Sequence, residues 1–210
     1  MTRRSEWPEP GARGDGAAAA SRAAPDGVPA GAAGERPSRT PRDPVERARA
    51  LCLRLLTGAP RTRQQLAEAL RARDVPEEAV AAVLDRFEEV GLIDDAAFAE
   101  AWVESRHHGR GLARGALARE LRTRGVAPGV VAEAVGRLDS EREEKTARSL
   151  VDRKLRATRG LDREKRLRRL VGMLARKGYP QGLCLRVVRQ ALEEEGEDPE
   201  VMDGYLSEDV

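Results

Sequence analysis

Aromatic residues are nearly missing from this chain: only 3% of its 210 residues are Phe, Trp or Tyr, although 40% are hydrophobic and 35% charged. Sheets draw on aromatic and β-branched side chains, whereas Ala, Leu, Arg and Glu, which abound here, favour helices, so an all-α fold is expected. Long apolar runs are missing too, none approaching the roughly 18 residues of a membrane span. The first residues are polar and Pro-rich with no basic-then-apolar leader, and the chain is read as cytoplasmic. Cysteine is scarce. Cys52 and Cys184 lie far apart, each on an apolar helical position with no second Cys or His at ligand spacing, so both are read as buried thiols and no metal or cofactor is expected. No Walker sequence occurs and no Ser, His and acid arrangement suggests nucleophilic catalysis, although a triad scattered in sequence would leave no local trace. The chain is not read as an enzyme.

What the chain has in quantity is charge, and the formal net of +2 conceals how it is distributed. Residues 1–44 carry seven Arg against six acids, and residues 193–210 carry nine acids and no base. Between them, residues 45–95 come to −2 and residues 96–192 to +12. A positive field therefore belongs to the later two thirds of the core. The segment 1–44, with seven of the twelve prolines and six glycines, lacks the apolar side chains to offset its ordering entropy and is expected to be a disordered extension. Residues 193–210 are expected to follow the last helix as a frayed acidic tail.

The core repeats itself. Leu66, Leu70, Val75, Val80 and Leu84 map by a shift of 51 onto Leu117, Leu121, Val126, Val131 and Val135, and by a further 53 onto Leu170, Leu174, Tyr179, Cys184 and Val188. A basic stretch precedes each apolar turn residue, and Gly125 and Gly178 read as helix stops, with Asp74 standing in for glycine in the first copy. Upstream, Ala48, Leu51, Cys52 and Leu55 match Ala99, Trp102, Val103 and Arg106 and, more loosely at a shift of 48, Ala147, Leu150, Val151 and Lys154. The difference between 48 and 53 gives the third copy a loop five residues longer, around Ala157–Asp162. Three tandem three-helix repeats follow, at 45–95, 96–140 and 141–192, and units of this kind stack into an elongated, curved solenoid.

Several motifs have a plain structural explanation. Asp94 and Asp95 precede a helical pattern and read as caps more readily than as metal ligands. Phe98, Trp102 and Val103 have helical spacing and read as core. His107 and His108 diverge by about 100° on a helix, cannot easily share a metal, and are placed at the surface by default. Gly109-Arg110-Gly111 resembles a flexible basic loop. The arginines are more informative: Arg119 and Arg122 point away from the side marked by Leu117 and Leu121, as Lys165, Arg168, Arg169 and Arg176 do from Leu167, Leu170 and Leu174. A coding bias toward Ala and Arg would supply solvated arginines without function. A net +12 sustained over two repeats favours a surface for a polyanionic nucleic acid, or for a protein bound to one.

The run Leu92-Ile93-Asp94-Asp95, then Phe98-Ala99, Trp102-Val103 and Arg106, followed by Gly111, Leu117, Glu120-Leu121 and Gly125-Val126, resembles the RecX regulatory family. Three tandem three-helix repeats fit that family as well. One departure is Arg124-Gly125, where the family often has Lys-Gly, a form that Lys177-Gly178 keeps. The resemblance implies a regulator of DNA repair that lies in the groove of the RecA–DNA filament, blocks its growth or promotes its disassembly, and lowers strand exchange, ATPase and coprotease output in the SOS response. The partner it implies is the RecA recombinase filament, with single- or double-stranded DNA open as a direct partner; no membrane is involved and a monomer suffices. Candidate central contacts are Arg106, Arg110, Arg114, Arg119, Arg122 and Arg124, with Lys165, Arg168 and Arg169 flanking them. The competing reading is a direct DNA-binding protein whose three-helix units act as helix-turn-helix modules, although no unit shows an evident base-reading set of Asn, Gln and Arg. A third is a generic helical interaction scaffold, which neither DNA nor recombinase would bind.

Overall fold

The structure, a computed structural model, describes residues 43–196; residues 1–42 of the expected extension and most of the acidic tail lie outside them, while Asp43 and Pro44 begin the first helix. The described residues form nine α-helices, and no strand occurs among them. The first repeat holds α1 (Pro44–Gly58), α2 (Arg63–Arg71) and α3 (Glu77–Glu89). The second holds α4 (Asp95–Arg110), α5 (Arg114–Thr123) and α6 (Pro128–Gly136). The third holds α7 (Ser140–Leu155), a short 3-10 turn at Arg156–Thr158, α8 (Arg163–Arg176) and α9 (Gln181–Glu194). No helix among the described residues is long and apolar enough to cross a membrane.

Helix starts are written in the sequence. Asp43, Asp94, Asp139 and Asp162 each accept a backbone N–H at the first turn of α1, α4, α7 and α8, and Thr62 with Gln65 closes a reciprocal capping box on α2. The third helix of every repeat begins instead at a proline, Pro76, Pro128 or Pro180, whose fixed φ suits a helix entry and whose missing N–H costs nothing there. Within a repeat the helices pack on one another, the third against both the first and the second. Of the fifteen aligned apolar positions, fourteen are buried, and Val135 is half-buried. Each repeat thereby owns a hydrophobic core, centred on Leu66 and Leu84, on Leu117 and Val131, and on Leu170 and Val188. Cys52 and Cys184 lie inside the first and third.

Although Ala113 of the second repeat is buried in the third core, both joints between repeats are pinned by hydrogen bonds that follow one plan. At the first, Thr62 Oγ1 donates to the Arg124 carbonyl (2.6 Å) and the Arg63 N–H to Asp95 Oδ1 (2.9 Å). At the second, the Ala113 N–H donates to the Lys177 carbonyl (2.9 Å) and the Arg114 N–H to Glu143 Oε1 (2.8 Å). The second helix of one repeat is thus capped by a carboxylate from the first helix of the next, and seated on its helix-to-helix turn. The residue after the bonded carbonyl is Gly125 or Gly178, with φ of 76° and 87°. A Cβ there would lie 2.2 Å from Gln64 Cγ or 2.3 Å from the Ala116 backbone nitrogen. Asp74 also adopts a left-handed conformation, φ 54°, but its turn receives no preceding repeat, so a side chain fits there.

Three expectations are corrected. Gly109 and Arg110 are not a loop: they close α4, and Gly111 caps it with φ 62°. His107 is not at the surface but 2% exposed, with Nδ1 2.9 Å from the Leu112 carbonyl and Nε2 3.0 Å from Thr146 Oγ1, because α7 of the next repeat covers that face of α4. The acidic end is not all tail: α9 runs through Glu194, which pairs with Arg148, while Glu195 accepts from Arg166 (2.5 Å) and Arg159 (2.8 Å). Arg166, 2% exposed, also donates to Thr158 and the Leu155 carbonyl and so fixes the longer third loop.

Those last pairs carry a pH signature. Arg148 holds the Glu194 carboxyl, and Arg166 with Arg159 the Glu195 carboxyl, below the ordinary glutamate value of 4.5. Their stabilisation is complete above that value and is lost as pH falls through the lowered folded-state values. Urea midpoints measured from pH 6 to pH 3 are expected to fall less steeply for Glu195→Gln than for the parent chain. Parallel curves would mean that the Glu195 pairs contribute nothing.

Candidate functional site

The nine basic residues singled out from the sequence do not form one surface. Arg106 is 7% exposed, its guanidinium 4.2 Å above the Trp102 ring, and half-buried Arg124 covers the same ring at 3.8 Å. With Phe98 stacked on it at 5.7 Å and its Nε1 donating to Glu120 (2.8 Å), Trp102 is held on several sides and offers no platform for a base. Arg114 donates through Nε to Glu143 Oε2 (2.8 Å), a carboxylate only 1% exposed, so it serves the second joint. Lys165 and Arg168 stand in solvent but pair with Asp162 (2.7 Å) and Glu164 (2.9 Å) of their own helix entrance. Arg119, Arg122 and Arg169 are exposed and have no carboxylate partner among the described residues.

Arg110 leads elsewhere. It lies at the end of α4 on the rim of a concave groove of about 1070 Å³ between the second and third repeats. Six Lys or Arg side chains line that groove: Arg110, Arg142, Lys145, Arg153, Lys154 and Lys177. His107 and His108 join them, Leu112, Leu150 and Met173 supply apolar surface, and among the described residues no carboxylate contributes to the lining. Lys145, Arg153 and Lys154 have no carboxylate partner among the described residues, whereas Arg142 pairs with Glu104 (2.6 Å). A concave wall of one charge sign focuses the field and concentrates an oppositely charged ligand.

The second joint builds this groove. Glu143 holds Arg114, Tyr179 Oη donates to the Gly111 carbonyl (3.1 Å), and Lys177 Nζ donates to the Arg110 carbonyl (2.6 Å). These bonds fix the end of α4 against the turn between α8 and α9, while α7 forms the long wall. Burial, together with the neighbouring charges of Arg153 and Arg110, pushes the Lys177 ammonium below the usual lysine range. That is the behaviour of a site crowded with cations and short of anions.

Sequence reasoning missed the α7 wall. The available signal was the spacing of Arg142, Lys145, Thr146, Ser149 and Arg153 at steps of three and four, one face of a helix. It was obscured by Glu141, Glu143, Glu144 and Asp152 on the same helix, of which Glu143 faces Arg114, Glu144 faces Arg186 and Asp152 faces Arg148.

Comparison with known proteins agrees with this architecture. Family models described as the first, second and third three-helix domains of RecX match residues 48–87, 94–135 and 141–188. A regulatory protein RecX of Streptomyces coelicolor is 69% identical over 192 residues, covering 91% of this chain and 96% of its own. One from Thermobifida fusca is 61% identical over 171 residues, covering 81% and 89%. Among solved structures, the crystal structure of RecX from Lactobacillus salivarius superposes with a TM-score of 0.67 over 72% of this chain and 98% of that one, at 16% identity, a likeness of fold.

Proposed function

Because the chain belongs to the RecX family of regulatory proteins, we propose that it restrains homologous recombination by binding RecA nucleoprotein filaments, without catalysing a reaction itself. The observation that carries this reading is the groove between the second and third repeats, lined among the described residues by six cationic side chains and no carboxylate. A recombinase filament is a polyanion wrapped in protein, and a series of helical units can bridge neighbouring filament subunits while a basic concavity faces the nucleic acid. The exposed Arg119 and Arg122 on α5 add charge to the second repeat.

Direct duplex recognition has less support. Helix-turn-helix readers insert one helix into the major groove, whereas here the cations line a concavity, and the second helices of the first two repeats have their N-termini committed to the joints. The test is a titration of the purified chain into RecA on single-stranded DNA, reading ATPase and strand exchange, with binding to bare DNA at matched salt as control. Inhibition at or below stoichiometric protein, with weaker binding to bare DNA, is the expected result. Tight binding to bare DNA with no effect on RecA would overturn it in favour of a DNA-binding protein.

A further inference from the structure

We infer that the acidic end of this chain, residues 197–210, is an internal competitor for the basic groove, so that the regulator carries its own polyanion mimic. The inference rests on the reading of the groove as an anion-binding surface. Residues 197–210 lie outside the described part of the structure; in sequence they hold six carboxylates, Glu197, Asp198, Glu200, Asp203, Glu208 and Asp209, and no Lys or Arg.

Three observations converge. The first is complementarity: among the described residues the groove is lined by six cations and no carboxylate, and Lys145, Arg153 and Lys154 are left without a carboxylate partner there. The second is the exit point. Glu194 pairs with Arg148 of α7, and Glu195 with Arg166 and Arg159, so the described chain ends beside the helix that forms the groove's long wall. Arg148 is one helical turn from Lys145 but on another face. The third is reach. Fourteen residues extend to at most about 50 Å, ample to pass round a helix about 10–12 Å across. The exposed arginines of α5, by contrast, lie in the second repeat and are not part of this groove's lining.

Tethering makes even a weak contact effective. A short link gives an effective concentration on the order of 1 mM, so a segment that binds the groove with a Kd of about 0.1 mM when free would lower the apparent affinity of an outside anion about tenfold. Anions reaching the groove would have to displace the segment, which raises the threshold for weak, isolated contacts while leaving the dense charge of a filament able to win.

The test compares the full chain with a full-length variant in which the six carboxylates become Asn or Gln. Both are titrated against a fluorescent oligothymidine strand at low salt. A labelled peptide of residues 197–210 is titrated separately against the neutralised variant. The expected results are about tenfold tighter strand binding by the variant, competition by the peptide, and loss of the difference between the two chains when Lys145→Glu and Lys154→Glu are introduced into both. Equal strand affinity within twofold, or a peptide that does not bind the neutralised variant, would overturn the inference. If neither chain bound the strand while the peptide still bound the groove, the anionic-partner reading would fail and the internal contact would stand.

Discussion

Replacing Gly178 with alanine is expected to destabilise the chain by about 3 kcal/mol, and to loosen the third repeat from the second. A left-handed conformation costs a residue bearing a Cβ roughly 1–2 kcal/mol. The added methyl would also sit 2.3 Å from the Ala116 nitrogen and 2.9 Å from its Cα, backbone atoms that cannot swing aside, and such overpacking adds about 1–3 kcal/mol. Gly91, in the turn after α3, separates the two terms. It has the same handedness, φ 72°, but nothing lies within 4 Å of an added Cβ, so Gly91→Ala should show the conformational term alone. Urea denaturation of the two variants supplies the comparison, and hydrogen exchange at the Ala113 N–H, bonded to the Lys177 carbonyl, locates the damage. A Gly178→Ala chain destabilised no more than Gly91→Ala would remove the close approach from the explanation of why glycine stands at this turn.

That glycine illustrates how far the sequence alone could be read. A helix stop followed by an apolar residue, repeated at shifts of 51 and 53, marks the end of each second helix, and left-handed φ values at Asp74, Gly125 and Gly178 agree with it. The repeat pattern also located the cores, because an apolar position recurring at constant spacing has one physical explanation, burial against the same neighbours. What the pattern could not convey is the joint. Glu143 reads as one more charge in an acidic-basic run, yet it is 1% exposed and caps a helix of the preceding repeat. Its partner Arg114 was assigned to a surface contact for the same reason: local sequence shows the charge of a side chain, not what a neighbouring repeat brings against it. Arg106 was misplaced likewise, since its helix position faces Trp102 and the core of its own repeat. The α7 wall went unread because helix-averaged charge nearly cancels, and only folding separates the acids, engaged by Arg114, Arg186 and Arg148, from the cations that face the groove.

On the proposed function, reversing two of those cations should abolish most of the inhibition while leaving the fold intact. Lys145 and Lys154 are exposed, lie in the groove, and have no carboxylate partner among the described residues, so Lys145→Glu with Lys154→Glu removes no ion pair among those residues. If the chain binds the filament as proposed, the same change replaces two attractions by two repulsions in a concave site. The concentration needed to inhibit RecA strand exchange should rise on the order of 30-fold at low salt, since long-range charge complementarity carries both encounter and affinity. The salt dependence supplies the sharper test. Each phosphate contact made to a single strand contributes about −0.7 to the slope of log K against log salt concentration, so losing two contacts should flatten the slope by about 1.4, and repulsion would flatten it further. Arg119→Glu with Arg122→Glu on α5 provides the comparison. If that pair weakened inhibition as strongly as the groove pair, net charge would account for the effect; if the groove pair left both inhibition and slope unchanged, the groove would not be where the polyanion binds.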